Sequence, residues 1–315
     1  MDLFSIILIQ MVMLAIYVLV GIIGIKTKVM NREALEYISR FIMKLSLPIM
    51  IFTNTLNGAT SKEVIETLPM LLIAFCMYAV MFCIGTVVSR IFKMKGDNKQ
   101  LYKALMMFGN VGFIGIPLIA SIFPERGMLY IAIFTIADQG LLWTVGMQFT
   151  TPEAKKTNGS IAQTVKKMIN PAIVGILLGV VGIFAGVKLP TVIDSTLTKI
   201  GATTTPLSMI YIGGLFCYVD IKQFVKKAEY YVILLLKMIV FPVLLYLVIR
   251  NMSFISEEIK ITLPILAGLP CMSSVAMFAN ANGADGDYAI GAIFVTTVAS
   301  MATLPFVSYV IGTVF

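Results

Sequence analysis

The sequence predicts an all-α polytopic membrane protein with ten transmembrane helices, built as an inverted 5+5 repeat. Three observations lead there. The 315 residues are 59% hydrophobic and 13% charged, with a mean hydropathy of +0.95, whereas an ordinary soluble domain is about one quarter charged. A single soluble core cannot absorb that much apolar sequence. The apolar residues fall into ten runs near bilayer-spanning length. Lysine and arginine collect in alternate connections between those runs.

The segments follow in order. Segment one, 3–25, is preceded by an acid and no basic stretch, so it reads as a retained span rather than a cleaved signal peptide. Segment two, 33–56, carries Pro48 at its middle. Segment three, 65–92, is apolar almost throughout. Segment four, 100–123, contains Gly109, Asn110, Gly112, Gly115 and Pro117 in MMFGNVGFIGIPLIASIF. Segment five, 128–149, holds Asp138. The polar stretch TTPEAKKTNGSIAQTVKK, 150–167, then divides the chain nearly in half. Segments six to ten are 170–187, 190–218, 229–250, 258–281 and 287–314. The expected organisation is a first repeat over 1–149, a short cytoplasmic linker over 150–169, and a second, inverted repeat over 170–315. An odd number of spans per half forces the inversion.

One alternate set of connections holds Lys26, Lys28, Arg32, Arg90, Lys93, Lys95, Lys99, Lys103, Lys155, Lys156, Lys166, Lys167, Lys222, Lys226 and Lys227. The other holds Lys62, Arg126, Lys188, Lys199, Arg250 and Lys260. Fifteen against six places the first set in the cytoplasm by the positive-inside rule. The expected setting is the cell membrane, with both termini extracytoplasmic. The formal charge of +8 is thereby explained by topology, and no nucleic-acid partner is expected.

The halves echo each other at their prolines. Pro48 and Pro206 lie mid-way along segments two and seven; Pro117, in GIPLI, and Pro270, in GLPCMSS, repeat a Gly-x-Pro in segments four and nine. Proline breaks helices. Interrupted spans at matching places are the mark of carriers whose site lies at the bilayer midplane. All four prolines are therefore expected helix breaks.

Polar groups cluster beside them. Asn110, Gly112, Gly115, Pro117, Pro270, Ser273, Ser274 and Asn280 are the candidate substrate site. Amide and hydroxyl donors, with the free N–H groups of a half-helix start, suit a carboxylate. Asp138, Lys237 and Lys44 are mid-span charges, expensive in lipid and usually functional. Asp138 can pair with either lysine, as a static ion pair or as a coupling group; the sequence does not choose. No histidine is present, and the four cysteines sit singly in apolar runs. No metal, cofactor or disulfide is expected.

In order along the chain, Pro48 and Phe52, Asn110 with Gly115, Ile116 and Pro117, Gln139 and Trp143, Gly214 to Phe216, Leu269 and Pro270, and Leu304 and Pro305 resemble the auxin efflux carrier family. Its bacterial members are labelled malate or malonate permeases, and its plant PIN-type members export auxin. The resemblance covers nearly the whole chain. It implies a bile-acid-transporter-like fold in which helices four and nine unwind and cross beside the substrate. It implies a scaffold of helices 1, 2, 6 and 7, a transport domain of helices 3–5 and 8–10, and a carboxylate held by the Asn110 amide. A homodimer through the scaffold is expected by the same analogy. The central loop here is much shorter than in many plant carriers, and pocket residues vary in the family, so auxin itself is a poor expectation.

The function expected is alternating-access transport of a small organic anion, a mono- or dicarboxylate such as malate or malonate. An anion channel, or an ion-coupled carrier for another small solute, is the alternative. No GxxxxGK[ST] motif is present for nucleotide drive. No catalytic set is recognisable, so an enzyme is not expected.

Overall fold

A computed structural model describes residues 3–58, 60–153, 171–218 and 220–313. Among these, helices account for all extended secondary structure, and the single exception is one isolated antiparallel bridge. Residues 154–169 of the expected linker, with four of the cytoplasmic lysines, lie outside the described residues.

Segment one is the helix Leu3–Lys26. Segment two runs through Arg32–Phe41, a π-helical turn Ile42–Ser46 and Leu47–Gly58. Segment three is Leu68–Ile91. Segment four is divided into Gly96–Met107, a π-turn Val111–Gly115 and Ile116–Ile122. Segment five comprises Gly127–Leu141, a π-turn Leu142–Gly146 and Met147–Phe149. Segment six is Pro171–Phe184, and segment seven is Thr191–Ala202 followed by Thr204–Phe216. Segment eight joins Ala228–Leu235, a π-turn Leu236–Val240 and Phe241–Ile249. Segment nine is divided into Glu257–Ala267 and Ser273–Asn282, and segment ten is Gly286–Thr313. Five continuous helical stretches of 22 to 27 residues, in segments one, three, five, eight and ten, are long and apolar enough to cross a membrane. The others are interrupted, short or carry polar ends.

Burial separates centre from rim. Only 22% of segment one's apolar window is buried inside the protein, against 67% for segment five. Phe4, Ile9, Ile16, Leu19 and Ile23 leave an exposed apolar face on segment one, which in water would be a liability and in lipid is matched. Segments one and seven touch backbone to backbone. A Cβ on Gly21 would lie 2.1 Å from the Ile210 carbonyl oxygen, and one on Gly213 would lie 2.0 Å from that of Val18. Segment six meets segment two in the same way, and a Cβ on Gly175 would lie 2.7 Å from the Pro48 carbonyl oxygen. Small residues permit this approach where no hydrophobic drive exists between helices.

The prolines act differently from the sequence expectation. Pro48, Pro117 and Pro242 each stand two residues beyond the end of a π-turn. A helical proline lacks an N–H and clashes with the carbonyl four residues back. Those carbonyls belong to Lys44, Phe113 and Met238, all inside the widened turns. Bonds spanning five residues, Leu47 to Ile42, Ile116 to Val111 and Phe241 to Leu236, carry the helix across. Pro48 and Pro117 therefore do not break their helices. Pro206 lies in the first turn of Thr204–Phe216, just after the one-residue turn at Thr203. Pro270 stands in a true interruption.

Candidate functional site

The break in segment four is at Phe108–Asn110, seven residues before Pro117. Phe108 is extended, at φ −92° and ψ 120°. The break in segment nine spans Gly268–Met272; Pro270 contributes no N–H and biases Leu269 away from the helix. The two breaks satisfy each other. The Asn110 N–H donates to the Pro270 carbonyl at 2.9 Å, and the Met272 N–H donates to the Phe108 carbonyl at 3.1 Å. Gly109 and Cys271 form the antiparallel bridge between them. The Cys271 N–H is taken by Thr296 Oγ1 of segment ten at 3.1 Å. Backbone groups opened inside a membrane protein must find such partners.

Side chains complete the junction. Asn110 is buried, and its Nδ2 donates to Ser273 Oγ at 3.0 Å. Its Oδ1 is buried with no hydrogen-bond partner among the described residues, an acceptor available to a donor. Ser273 and Ser274 are both buried in the first turn of Ser273–Asn282. Among the described residues no side chain caps that helix start, so its orphan N–H groups remain a local centre of positive potential. Gly109 faces Leu266 and Leu269 of segment nine, as does Gly115. Gly112 turns elsewhere: a Cβ added there would meet Met50 and Leu47 of segment two, at 3.7 and 3.9 Å.

The three mid-span charges part company. Asp138 is fully buried and accepts from the Tyr78 hydroxyl at 2.5 Å and from Gln139 Nε2 at 2.7 Å. Lys237 is buried and donates to the Leu105 and Phe108 carbonyls at 2.8 and 2.6 Å. Among the described residues neither forms an ion pair. Lys44 is exposed, on the outer side of its π-turn, so it is not a buried charge and does not partner Asp138.

Two of the cavities among the described residues lie along segments two and seven. The larger, about 410 Å³, is lined by Arg32, Glu36, Ser39 and Arg40 of segment two, Tyr211 of segment seven, and Met277 and Asn280 of segment nine. The other, about 330 Å³, is lined by Gln10 and Tyr17 of segment one, Met50, Thr53 and Asn54 of segment two, Pro117 of segment four, and Thr205 and Pro206 of segment seven. Both fall in the size range of small-molecule sites, about 300–1,000 Å³. Ser39 and Thr53 mark their levels on segment two, roughly 20 Å apart along the helix at 1.5 Å per residue. Asn280 is thus exposed in the larger cavity, away from Asn110 and Ser273, and Asn110 lines neither cavity.

A family model described as membrane transport protein matches residues 6–308. The chain belongs to that family. Curated relatives agree in kind. An uncharacterized transporter of Methanocaldococcus jannaschii is 29% identical over 212 residues, covering 63% of this chain and 65%, just under two thirds, of that protein. A Rhizobium meliloti protein named "Putative malonate transporter" is 23% identical over 287 residues, covering 89% of this chain and 88% of its own. An uncharacterized transporter of Methanothermobacter thermautotrophicus is 25% identical over 308 residues, covering 94% and 95%. Membership, with the apolar helices, makes this a membrane-embedded transporter-family protein of the auxin efflux carrier kind.

Several residues of the site were not singled out from sequence. Tyr78 holds Asp138, Phe108 supplies the carbonyl shared by Lys237 and Met272, and Thr296 covers the Cys271 amide. A tyrosine hydroxyl at mid-segment was the one available signal, since a buried tyrosine seeks a partner.

Proposed function

We propose that the protein is a secondary carrier of a small organic anion, a mono- or dicarboxylate such as malonate or malate, working by alternating access. The observation that carries this reading is the pair of cavities at different levels along segments two and seven, one lined from segment nine and the other from segment four, the two segments whose breaks bond to each other. Segments one, two and seven contribute to one wall of these cavities and the broken segments to the other. Leu47 and Met50 of segment two face Gly112 between the two levels, and the reading places there the gate of a carrier rather than the open pore of a channel. Segments one, two, six and seven, tied by glycine contacts, act as the scaffold, and the remainder moves against them as the two five-helix repeats rearrange. As the two parts move and expose the junction, the guest carboxylate is received by the second Nδ2 hydrogen of Asn110, by the hydroxyls of Ser273 and Ser274, and by the uncapped helix start. The larger cavity opens to the cytoplasm in this reading, with both termini outside the cell membrane. The exposed apolar face of segment one offers a homodimer contact.

The test is binding and liposome uptake of a carboxylate panel including malonate and malate. A hydrogen bond to a charged group contributes about 1.5–3 kcal/mol, so Asn110→Ala should weaken binding by roughly 10- to 150-fold. Unchanged affinity refutes the role of the amide. Unitary current steps across a planar bilayer would replace the carrier by the channel.

A further inference from the structure

The Gly96–Met107 helix stops at a break inside the protein, so its last carbonyls lose the N–H groups a continuing helix would bring, and this end of the dipole is negative. The Lys237 side chain reaches that end from segment eight. Its ammonium donates to the Leu105 and Phe108 carbonyls. The Leu105 carbonyl also faces the Cys271 thiol at 3.4 Å, and the Phe108 carbonyl is shared with the Met272 N–H. Lys237 is 1% exposed and its ammonium has no carboxylate in ion-pair contact among the described residues, so carbonyl dipoles are what hold it. In carriers driven by an ion gradient, carbonyl ends of interrupted helices bind the coupling cation.

We propose that Lys237 is a tethered cation: its ammonium permanently occupies a cation site at the end of Gly96–Met107, so the joined breaks hold together without a bound monovalent metal ion. The lysine is a positioning residue for the Phe108–Asn110 turn and does not touch the substrate. The proposal concerns the junction alone and holds whichever acid is carried.

The experiment is thermal melting of the purified protein without any transported acid, in choline chloride, sodium chloride or methylammonium chloride at equal ionic strength. Wild type should melt identically in sodium and choline. Lys237→Ala removes the stem and ammonium and should melt lower by about 5 °C or more. Methylammonium, which restores the missing head, should return at least half of that loss saturably. Lys237→Met keeps the stem without the charge; it should melt lower and regain nothing. Saturable stabilisation of wild type by sodium overturns the proposal. So does a Lys237→Met protein that melts with wild type, because filling alone would then suffice. A Lys237→Ala protein that folds but ignores methylammonium also overturns it. Should Lys237→Ala not fold, the wild-type and Lys237→Met arms decide.

Discussion

Substituting alanine at each of the three glycines of segment four separates close packing from mere helix softness. None of the three has a positive φ, so alanine is allowed by the backbone and only the surroundings matter. At Gly109 the added Cβ lies 3.1 Å from Leu269 Cβ and 3.3 Å from the Leu266 carbonyl oxygen. Neither atom can rotate away, so the breaks must part. Overpacking costs about 1–3 kcal/mol, and weakening one of the two bonds between the breaks adds about 0.5–1.5 kcal/mol. At Gly115 the neighbours are Leu269 Cδ1 at 3.0 Å and Leu266 Cδ2 at 3.1 Å, ends of side chains that can shift; the helix gain of alanine, up to about 1 kcal/mol, offsets most of the strain. At Gly112 the contacts are ordinary, so alanine is neutral or stabilising. Melting in detergent, at roughly 2–4 °C per kcal/mol, should show Gly109→Ala lower by about 5–10 °C, Gly115→Ala within about 3 °C, and Gly112→Ala at or above wild type. Gly112→Ala should nonetheless slow uptake, because the methyl narrows the gap to Met50 and Leu47. A Gly112→Ala loss as large as that of Gly109→Ala would refute the reasoning, as would a tolerated Gly109→Ala.

Other outcomes follow from single contacts. Tyr78→Phe leaves the buried Asp138 carboxyl with one of its two donors and should cost about 1–3 kcal/mol, whereas Lys44→Met, at an exposed position, should stay within about 0.5 kcal/mol; both are read by melting, and equal losses would contradict the placement of Asp138 and Lys44. Gly213→Ala drives a methyl into the Val18 carbonyl and should prevent recovery of folded protein, while Gly140→Ala, with nothing nearby, should be recovered normally by size-exclusion chromatography. Glu63 closes a capping box with Thr60, and the hydrogen bonds from Thr60 hold its carboxyl below the usual 4.5. A lowered folded pKa gives stability that is present above about pH 4.5 and lost as pH falls through the folded value. Glu63→Gln should therefore shrink the acid-side decline in melting temperature, and an unchanged acid limb would remove Glu63 from that account.

The helical, membrane-embedded class was legible because composition alone excludes a soluble core. The interrupted segments were also legible as regions: Gly109 to Pro117 and Gly268 to Pro270 lie where glycine, proline and amides crowd together. Their positions within the segments were less so. Pro117 looked like the break, yet a π-turn carries the helix past it, and the widening of a helix by one bond leaves no mark in residue type. Gly109, with no proline beside it, lies where the chain opens, and the glycine there is required by the close approach of Leu269 and the Leu266 carbonyl, which only the fold brings near. Asp138 and Lys237 were visible as buried charges, but their partners, a tyrosine hydroxyl and two backbone carbonyls, carry no charge and gave no pairing signal. Lys44 shows the converse: a charge counted into the middle of a segment can lie on its outward face. Asn280 sits one helix length from Ser273, so sharing a segment did not mean sharing a site.

The junction at Gly109 and Cys271 also sets an order of events during synthesis. Asn110 and Ser273 are 163 residues apart, about 10–30 s of translation at typical rates. Throughout that interval segment four is already made, while Pro270 and Met272, which pair with its Asn110 N–H and Phe108 carbonyl, do not yet exist. A backbone group left unpaired in hydrocarbon costs several kcal/mol. The nascent first half must therefore keep this turn wet, or hold it as a continuous helix, until segment nine arrives to open it.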